Sequence, residues 1–510
     1  MCRRLWAPCL VILLSGCALG PDYERPQIDT PVSYIQPVQE GESFANMPWW
    51  DLLQDPRLQE LIRIALEENK DLGIAVARIE EFRAVLGVTR ADQFPTVDLN
   101  ATGGRTSNSE NTFPGNLVDG TQDYYRLSAD VFFEVDLFGR LRRSTEAARA
   151  QLLATEEARR SITISLVANV ASTYMLLRDL DAQLEIARRT EKLRGESLDI
   201  IQSRFDKGIV SRLDVNQAQI ELAIASAAVA AAERLVAQTE HSLSILLGRN
   251  PGHIVRGVAL KGQVMPPAIP TGLPSELLQR RPDVLASEAQ LAAQTARIGV
   301  AEAARWPSLS LTGALGFESS ELSDLTASGS DFWNVGANIL APIFNAGRNR
   351  SRVEAERART EQALLAYQQT VQRAFREVED ALVAVRTYRD EHAARQRQVE
   401  AALNAAKLSR ARYNGGVTSY LEVLITEQSQ FSAELVETQT LRLYFNSIIE
   451  LYKALGGGWV AQAEAKENAI SHDDPVPESQ PGKEEVSEPV LGDSSPRGSV
   501  TPATDDVPAS

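Results

Sequence analysis

The chain has 510 residues, of which 24% are charged, and its formal net charge is −16. This acidic excess, with no basic patch carrying interleaved aromatic residues, argues against a nucleic-acid partner. The sequence also lacks zinc-hydrolase, serine-hydrolase and phosphate-loop motifs, and its histidines are scattered at His241, His253, His392 and His472. We therefore expect no catalytic residue, no metal site and no cofactor.

The first residues form an export signal. Arg3 and Arg4 precede an apolar run at 10–14 that is too short to span a membrane as a helix. Residues 14–17 then read Leu-Ser-Gly-Cys, which is similar to a bacterial lipobox, where cleavage leaves the cysteine as an acylated first residue. This interpretation makes residues 1–16 a signal peptide and Cys17 a lipid anchor. The alternative is an ordinary signal whose cleavage site contains a cysteine.

The next stretch changes from extended chain to helix. Residues 17–56 carry prolines and are expected to be extended along the surface. A helix is predicted from Arg57 to about Gln93, with an interruption near Asn69. This helix has a copy 212 residues later, where Phe94-Pro95 corresponds to Trp306-Pro307.

Behind each copy of this helix the apolar residues recur with period two. The alternation predicts one β-hairpin over residues 96–137 and a second over 308–343. Such strands fit either a soluble sheet packed on helices or membrane strands facing lipid on one side and water on the other. The lipobox and the strand lengths favour the membrane. Four strands cannot close in lipid, so a conducting pore would need at least three copies of the chain and twelve strands.

A second repeated stretch is longer. Residues 139–248 can be laid on 347–456 without a gap, at an offset of 208. Each copy opens with a proline-free arm rich in Ala, Leu, Glu, Arg and Gln, over 140–205 and 348–413. Each arm therefore predicts a single helix on the order of 100 Å long. A shorter helical arm returns, which makes each copy a long helical hairpin.

Together these patterns divide the chain. The first structural repeat covers residues 57–248 and the second covers 274–456, with a Gly- and Pro-rich linker at 249–273 between them. Residues 457–510 are mostly Pro, Ser, Asp and Glu with few large apolar residues, which predicts a disordered acidic tail. The fold class is mixed α and membrane β, built by internal duplication.

The tip of each long hairpin is marked by a glycine turn, at Gly208 in the first and Gly416 in the second. Each turn is followed by residues at capping-box spacing, Ser211 with Asp214 and Ser419 with Glu422. The two acids can cap helix starts. They can also form an anionic ring attractive to cations if three tips meet, and the two roles do not exclude each other.

Several short motifs follow one another in a fixed order: the lipobox, Gly20-Pro21-Asp22-Tyr23, Pro48-Trp49-Trp50, Asp55-Pro56-Arg57-Leu58 and Arg280-Arg281-Pro282-Asp283-Val284. With the duplication and its paired turns, the chain from about Cys17 to Gly457 resembles the TolC family of outer membrane efflux factors, in its NodT-type lipoprotein branch. The resemblance implies a homotrimer, with a twelve-stranded β-barrel in the outer membrane continued by a long periplasmic α-helical barrel.

The resemblance also implies partners and a periplasmic opening, the mouth of the helical barrel. This open end of the barrel would dock on a periplasmic membrane-fusion adaptor and an inner-membrane pump, and drugs or other small solutes would pass out. Family members often close the periplasmic mouth with Asp and Arg contacts near the second tip. This chain has Thr418 where Arg is common and Ile425 where Asp is common, so that latch does not carry over whole. The remaining aperture candidates are Arg212, Asp214, Tyr413, Leu421, Glu422 and Ile425, and the tip residues expected to turn the chain or contact the adaptor are Gly208, Ser211, Leu213, Gly416 and Ser419.

Two other functions remain open at this stage. A structural envelope lipoprotein without a pore would explain the long helices and Cys17, but not two alternating hairpins at equivalent places. An exit duct for type I protein secretion would use the same fold. The sequence identifies neither the transported substrate nor the pump.

Overall fold

The structure is a computed structural model that describes residues 18–36, 52–107, 109, 121–264 and 274–457. The predicted signal peptide, Cys17, the Pro48-Trp49-Trp50 motif and the predicted tail beyond Gly457 lie outside these residues. The described elements in chain order are α1 (Pro56–Glu68), α2 (Lys70–Ala91), β1 (Thr96–Ser107), β2 (Thr121–Val135), α3 (Arg140–Asp206), α4 (Arg212–Leu246), α5 (Pro274–Arg280), α6 (Pro282–Ala303), β3 (Ser308–Ser319), β4 (Asp331–Leu340), α7 (Arg348–Asn414) and α8 (Tyr420–Ala454), with short 3-10 turns at Leu260–Gly262 and Leu322–Asp324.

The duplication is visible in the lengths of the helices. The long arms α3 and α7 have 67 residues each, and the return arms α4 and α8 have 35 each. The shorter helices α2 and α6 also match, with 22 residues each. The arms end within about one residue of the sequence prediction. None of the helices in the described ranges combines the length and apolarity needed to cross a membrane.

The expected interruption near Asn69 is a helix cap. Asn69 is extended, with φ −60° and ψ 131°, and its side-chain oxygen accepts a hydrogen bond from the Leu72 amide at 3.0 Å. Its amide group donates to the Leu246 carbonyl at 2.8 Å. Asn69 therefore ends α1 through its backbone amide, and its buried side chain caps α2 and attaches this junction to the end of α4.

The four strands form one antiparallel sheet in the order β1-β2-β3-β4. Val131 of β2 lies opposite Val97 in β1 and Gly313 in β3, so odd-numbered residues share one face across the first three strands. The strands of the first hairpin lie within the predicted range, with β1 ending at Ser107 and β2 running from Thr121 to Val135. Strands β1 and β4 are the edges of this sheet.

The main core lies where the helices meet the linker, and Asp55 organises it. Its carboxylate caps α1 through the Arg57 amide at 2.9 Å and accepts hydrogen bonds from Tyr174 at 3.0 Å and from Val258 and Gln263 at 2.9 Å. Burial alone would raise the pKa of Asp55, but the bonds from Gln263, Arg57, Tyr174 and Val258 together lower it below its ordinary value. A buried carboxylate thus holds the linker against α3.

A second buried polar group, just after the linker, holds the start of the second repeat against the long hairpin of that repeat. The Arg281 guanidinium donates to the Ala454 carbonyl at the end of α8, at 3.1 Å. It also bonds the carboxylates of Asp283 at 2.6 Å and Glu377 at 2.7 Å. The motif residues that the sequence singled out at 55 and 281 are therefore structural anchors.

Candidate functional site

The two hairpin tips have the same backbone. Gly208 and Gly416 have φ of 69° and 71°, a region that other residues enter at a cost. In the first tip the Ile209 amide donates to the Arg204 carbonyl at 2.9 Å, and in the second the Val417 amide donates to Arg412 at 3.0 Å. This six-to-one hydrogen bond is the Schellman way of ending a helix, and it requires the glycine. The turns predicted from the sequence are therefore both present.

The first tip contains a complete capping box. The Ser211 hydroxyl accepts a hydrogen bond from the Asp214 amide at 3.3 Å. The Asp214 carboxylate in turn accepts from the Ser211 amide at 2.9 Å and from the Ser211 hydroxyl at 2.8 Å. These bonds satisfy amide groups at the start of α4 that have no partner within the helix. The carboxylate of Asp214 is thus committed to its own helix.

The second tip differs, and the capping box expected for Ser419 is absent. Ser419 begins α8 without any side-chain capping bond. The carboxylate of Glu422 instead accepts a hydrogen bond from the Thr418 hydroxyl and lies 3.6 Å from the Arg412 guanidinium. The sequence prediction was wrong here because the longer glutamate side chain reaches these two neighbours. Glu422 therefore links the end of α7 to the start of α8.

Aromatic and apolar side chains fill the space between the tips. Tyr420 packs with Ile201, Val215, Ala218, Val423 and Leu424 in a small core to which Phe205, Val210 and Tyr413 are added. The ring centroids of Tyr413 and Tyr420 are 5.5 Å apart, and the Arg204 guanidinium lies 4.9 Å from the Tyr413 ring. Burial, with the nearby carboxylate of Glu427, raises the pKa of Tyr420 to about 12. Of the aperture candidates, Tyr413 is therefore placed in the tip core.

The other candidates lie on the surface. Leu421 and Ile425 are 51% and 59% exposed, and with Ile220 of the first hairpin they line a groove of about 410 Å³ between α4 and α8. Arg212 is exposed at the first tip, with its guanidinium 5.5 Å from the Phe205 ring. The structure thus brings Leu421 and Ile425 together on one groove and leaves Arg212 and Asp214 at the other tip.

Charged residues that the sequence did not single out tie the two hairpins together above the tips. Arg194 of α3 is buried, pairs with Glu221 of α4, and donates to Gln428 of α8 at 3.0 Å. Burial lowers the pKa of the Arg194 guanidinium, but arginine stays charged in proteins.

Arg410 of α7 forms a second tie. It donates to the Ser197 hydroxyl of α3 at 3.0 Å and pairs with Glu427 of α8. The bonds from Arg194 to Gln428 and from Arg410 to Ser197 join residues more than 200 positions apart along the chain, whereas the two carboxylate pairs lie within one hairpin each. In the sequence, only the offset of 208 between the two long arms indicates which residues of the two hairpins lie at the same distance from the tips. Within the described ranges, no group of three or more His, Cys, Asp or Glu side chains could hold a metal ion.

Comparisons with known proteins agree with this architecture. A family model described as outer membrane efflux protein matches residues 61–249 and 273–457. The solvent efflux pump outer membrane protein SrpC of Pseudomonas putida is 38% identical over 459 residues, which cover 88% of this chain and 97% of that protein. The cation efflux system protein CusC of Escherichia coli O157:H7 is 34% identical and matches over 88% of this chain and 98% of its own length.

A solved structure shares the fold as well. The open state of the MtrE outer membrane channel of Neisseria gonorrhoeae superposes with a TM-score of 0.79 at 32% identity, covering 87% of this chain and 98% of that one. These matches confirm the family resemblance, the outer membrane location and the efflux role inferred from the sequence. By its matched repeats and by its relatives, the chain belongs to the outer membrane efflux protein family.

Proposed function

We propose that three copies of this chain form the passive outer membrane exit channel of a tripartite efflux system, through which drugs or other small solutes leave the cell. The observation that carries the proposal is the open sheet joined to two helical hairpins. A sheet whose edges β1 and β4 have no strand partner among the described residues is completed in a membrane only by pairing with other copies. The long helical arms then extend the same passage through the periplasm.

The two faces of the sheet support this use. Odd-numbered positions of the strands carry large apolar side chains that are open to the surroundings, such as Leu99 at 79% and Trp333 at 77% exposure. On the opposite face, Asp98 lies across from Asp130 and Ser310 lies across from Asn338. One face therefore suits lipid and the other suits a water-filled pore.

Lipidation of Cys17 fits the position of the residues that follow it. Leu19 donates its amide to the Phe138 carbonyl at 3.1 Å, at the junction of β2 and α3. The buried Arg143 holds the same segment through the Leu19 carbonyl at 3.1 Å and the Asp22 carboxylate at 2.6 Å. Cys17 precedes this anchored segment, so a lipid on it would enter the leaflet that faces the helical arms.

Replacement of Cys17 by Ser tests the anchor. Labelling with a radioactive fatty acid should be lost, whereas export through the channel should largely survive because the strands hold the protein in the membrane. Labelling that persists in the variant would place the lipid elsewhere.

The tips are the proposed periplasmic mouth. Leu421, Glu422 and Ile425 of each copy would line it, and the exposed apolar residues Ile209, Leu213 and Val417 would contact the periplasmic adaptor, which docks the inner-membrane pump. Clustered apolar side chains are unfavourable in water. Their exposure at the end of a long hairpin therefore indicates a surface that another protein covers.

Conductance of the purified protein in a planar lipid bilayer tests the channel directly. Discrete single-channel steps with a preference for cations are expected. A folded trimer that inserts but never conducts would overturn the proposal and favour a structural envelope lipoprotein.

A further inference from the structure

Four helices lie side by side and share a recess of about 690 Å³. Helix α2 packs on α3, α3 packs on α6, and α6 packs on α7. All four helices contribute residues to the walls of the recess, although α2 and α7 are the outer members of this layer. Because both outer helices reach it, the recess lies on the concave side of the layer. Its volume is in the range of small-molecule binding sites.

The N-terminal segment, residues 18–36, lies on the opposite side of the same layer. Tyr23 donates a hydrogen bond to Glu288 of α6 at 3.1 Å, and Gly20 packs against Gly299. Glu288 and Gly299 are eleven residues apart, about three turns, and so share one face of α6. A face roughly 160° away around the helix axis lines the recess, with Asp283, Ala286, Ser287 and Gln290. The N-terminal segment leads to the proposed lipid anchor and so lies outside the proposed channel, which means that the recess opens into the lumen.

Among the described residues that line the recess, two are charged and only one of them is neutralised. The carboxylate of Asp283 accepts hydrogen bonds from the Arg281 guanidinium at 3.0 and 2.6 Å. Arg78 of α2 is exposed and has no carboxylate partner within the described ranges. An unpaired guanidinium at a recess favours an anion, and its planar fork matches a carboxylate.

The rest of the lining suits a flat apolar body. Phe82 lies one turn after Arg78 on the same edge of α2. The side-chain amide of Gln151 in α3 donates to Gln290 of α6 at 3.3 Å, and this pair adds a polar edge. Small side chains line the wall of the other helices, at Ala154, Ala158, Ala286, Ala363 and Ala366. An aromatic ring beside an arginine, with no bulky side chains at these wall positions, leaves room for a flat molecule that carries one acidic group.

We infer that this recess is a transient binding site for small aromatic carboxylates that pass through the lumen. Arg78 binds the carboxylate, and Phe82 packs on the ring. The inference rests on the proposed channel and adds one chemical class of solute to it. Since a duct must also release what it binds, the dissociation constant should be high, on the order of 1 mM.

Saturation-transfer difference NMR on the protein in lipid nanodiscs tests the site, with 2-naphthoate as the probe and empty nanodiscs as the background. Naphthoate should bind saturably, and the neutral 2-naphthamide and the cationic 2-naphthylmethylammonium should bind clearly more weakly. Arg78→Gln should weaken naphthoate binding about tenfold, because a charge-assisted hydrogen bond is lost, and should leave naphthamide binding unchanged. Phe82→Leu should weaken the binding of both. Arg83→Gln is the matched control, since Arg83 is in the same helix, pairs with Glu80 and does not line the recess.

Naphthoate binding that is equal in the parent and in Arg78→Gln, or that is no stronger than naphthamide binding, would overturn the site. Single-channel conductance of the same preparation separates this inference from the proposed channel. A protein that conducts but shows no binding dependent on Arg78 would overturn the site and leave the channel in place. A protein that binds naphthoate through Arg78 but never conducts would support the site and overturn the channel.

Discussion

The two hairpin tips share a backbone and differ in how they use an acidic side chain. Both end a 67-residue helix, turn on a glycine of positive φ and begin a 35-residue helix. In the first tip Asp214 is held in a capping box, whereas in the second Glu422 bonds Thr418 and faces Arg412. Duplication has kept the turn, which only glycine satisfies, and has released the acid of the second tip from capping. The acid of the first tip therefore stabilises a helix start, whereas the acid of the second tip is not used for capping.

The largest effect is expected at Arg194, which pairs with Glu221 inside the first hairpin and donates to Gln428 of the second. Arg194→Met should lower stability by up to about 3 kcal/mol, because it leaves the largely buried Glu221 without its cation. The double variant with Glu221→Met should recover most of that loss. Arg188→Met is the matched control, since Arg188 and Glu233 join the same two helices on the exposed surface. Thermal unfolding followed by circular dichroism measures all three, and equal losses for Arg194→Met and Arg188→Met would contradict the buried tie.

Glycine substitution tests the feature that the tips share. Gly208→Ala and Gly416→Ala should each cost about 1–2 kcal/mol, because both positions have nearly the same left-handed φ. Gly195→Ala inside α3 is the control and should stabilise by up to about 1 kcal/mol, since it lies in the interior of a helix with open space around it. Unequal costs at the two tips would show that their backbones are not equivalent.

Alanine at the two acids tests the difference. Asp214→Ala should cost about 1 kcal/mol through loss of the capping box, as at other helix starts. Glu422→Ala should cost clearly less, because Glu422 makes no cap. Unfolding experiments on the two variants side by side are sufficient. A larger loss for Glu422→Ala would reverse the assignment of roles.

Of the substitutions considered, Glu422→Gln should have the smallest effect on stability and the largest effect on ion flow. Glu422→Gln removes a negative charge that is not used for capping, so it should lower cation selectivity or raise resting conductance with the fold unchanged. Asp214→Asn should change conductance less. Reversal potentials in a salt gradient measure the selectivity. If both variants conduct like the parent, the gate lies in Tyr413, Leu421 and Ile425.

Repeats, strands and turns could be predicted from the sequence because they depend on local pattern. Gly208 and Gly416 are identifiable as turns by their residue type, and the alternating strands by their period. The role of Asp55 could not be predicted, because its partners Tyr174, Val258 and Gln263 are distant in sequence. The capping prediction was right for Asp214 and wrong for Glu422. Both acids follow a serine by three residues, but this spacing does not show that Glu422 has Thr418 and Arg412 within reach.

The equal lengths of the arms restrict how this protein can change. Each residue added to a helix advances it by about 1.5 Å and rotates it by about 100°, so a single insertion in α3 alone would turn every later side chain away from its partners. It would also carry the first tip past the level of the second. The lengths of the arms are therefore coupled. A longer version of this protein would need insertions of equal length in α3, α4, α7 and α8, and each insertion would have to be close to a multiple of seven residues to keep the side chains facing their partners. The distance that this protein spans can thus change only in coarse steps.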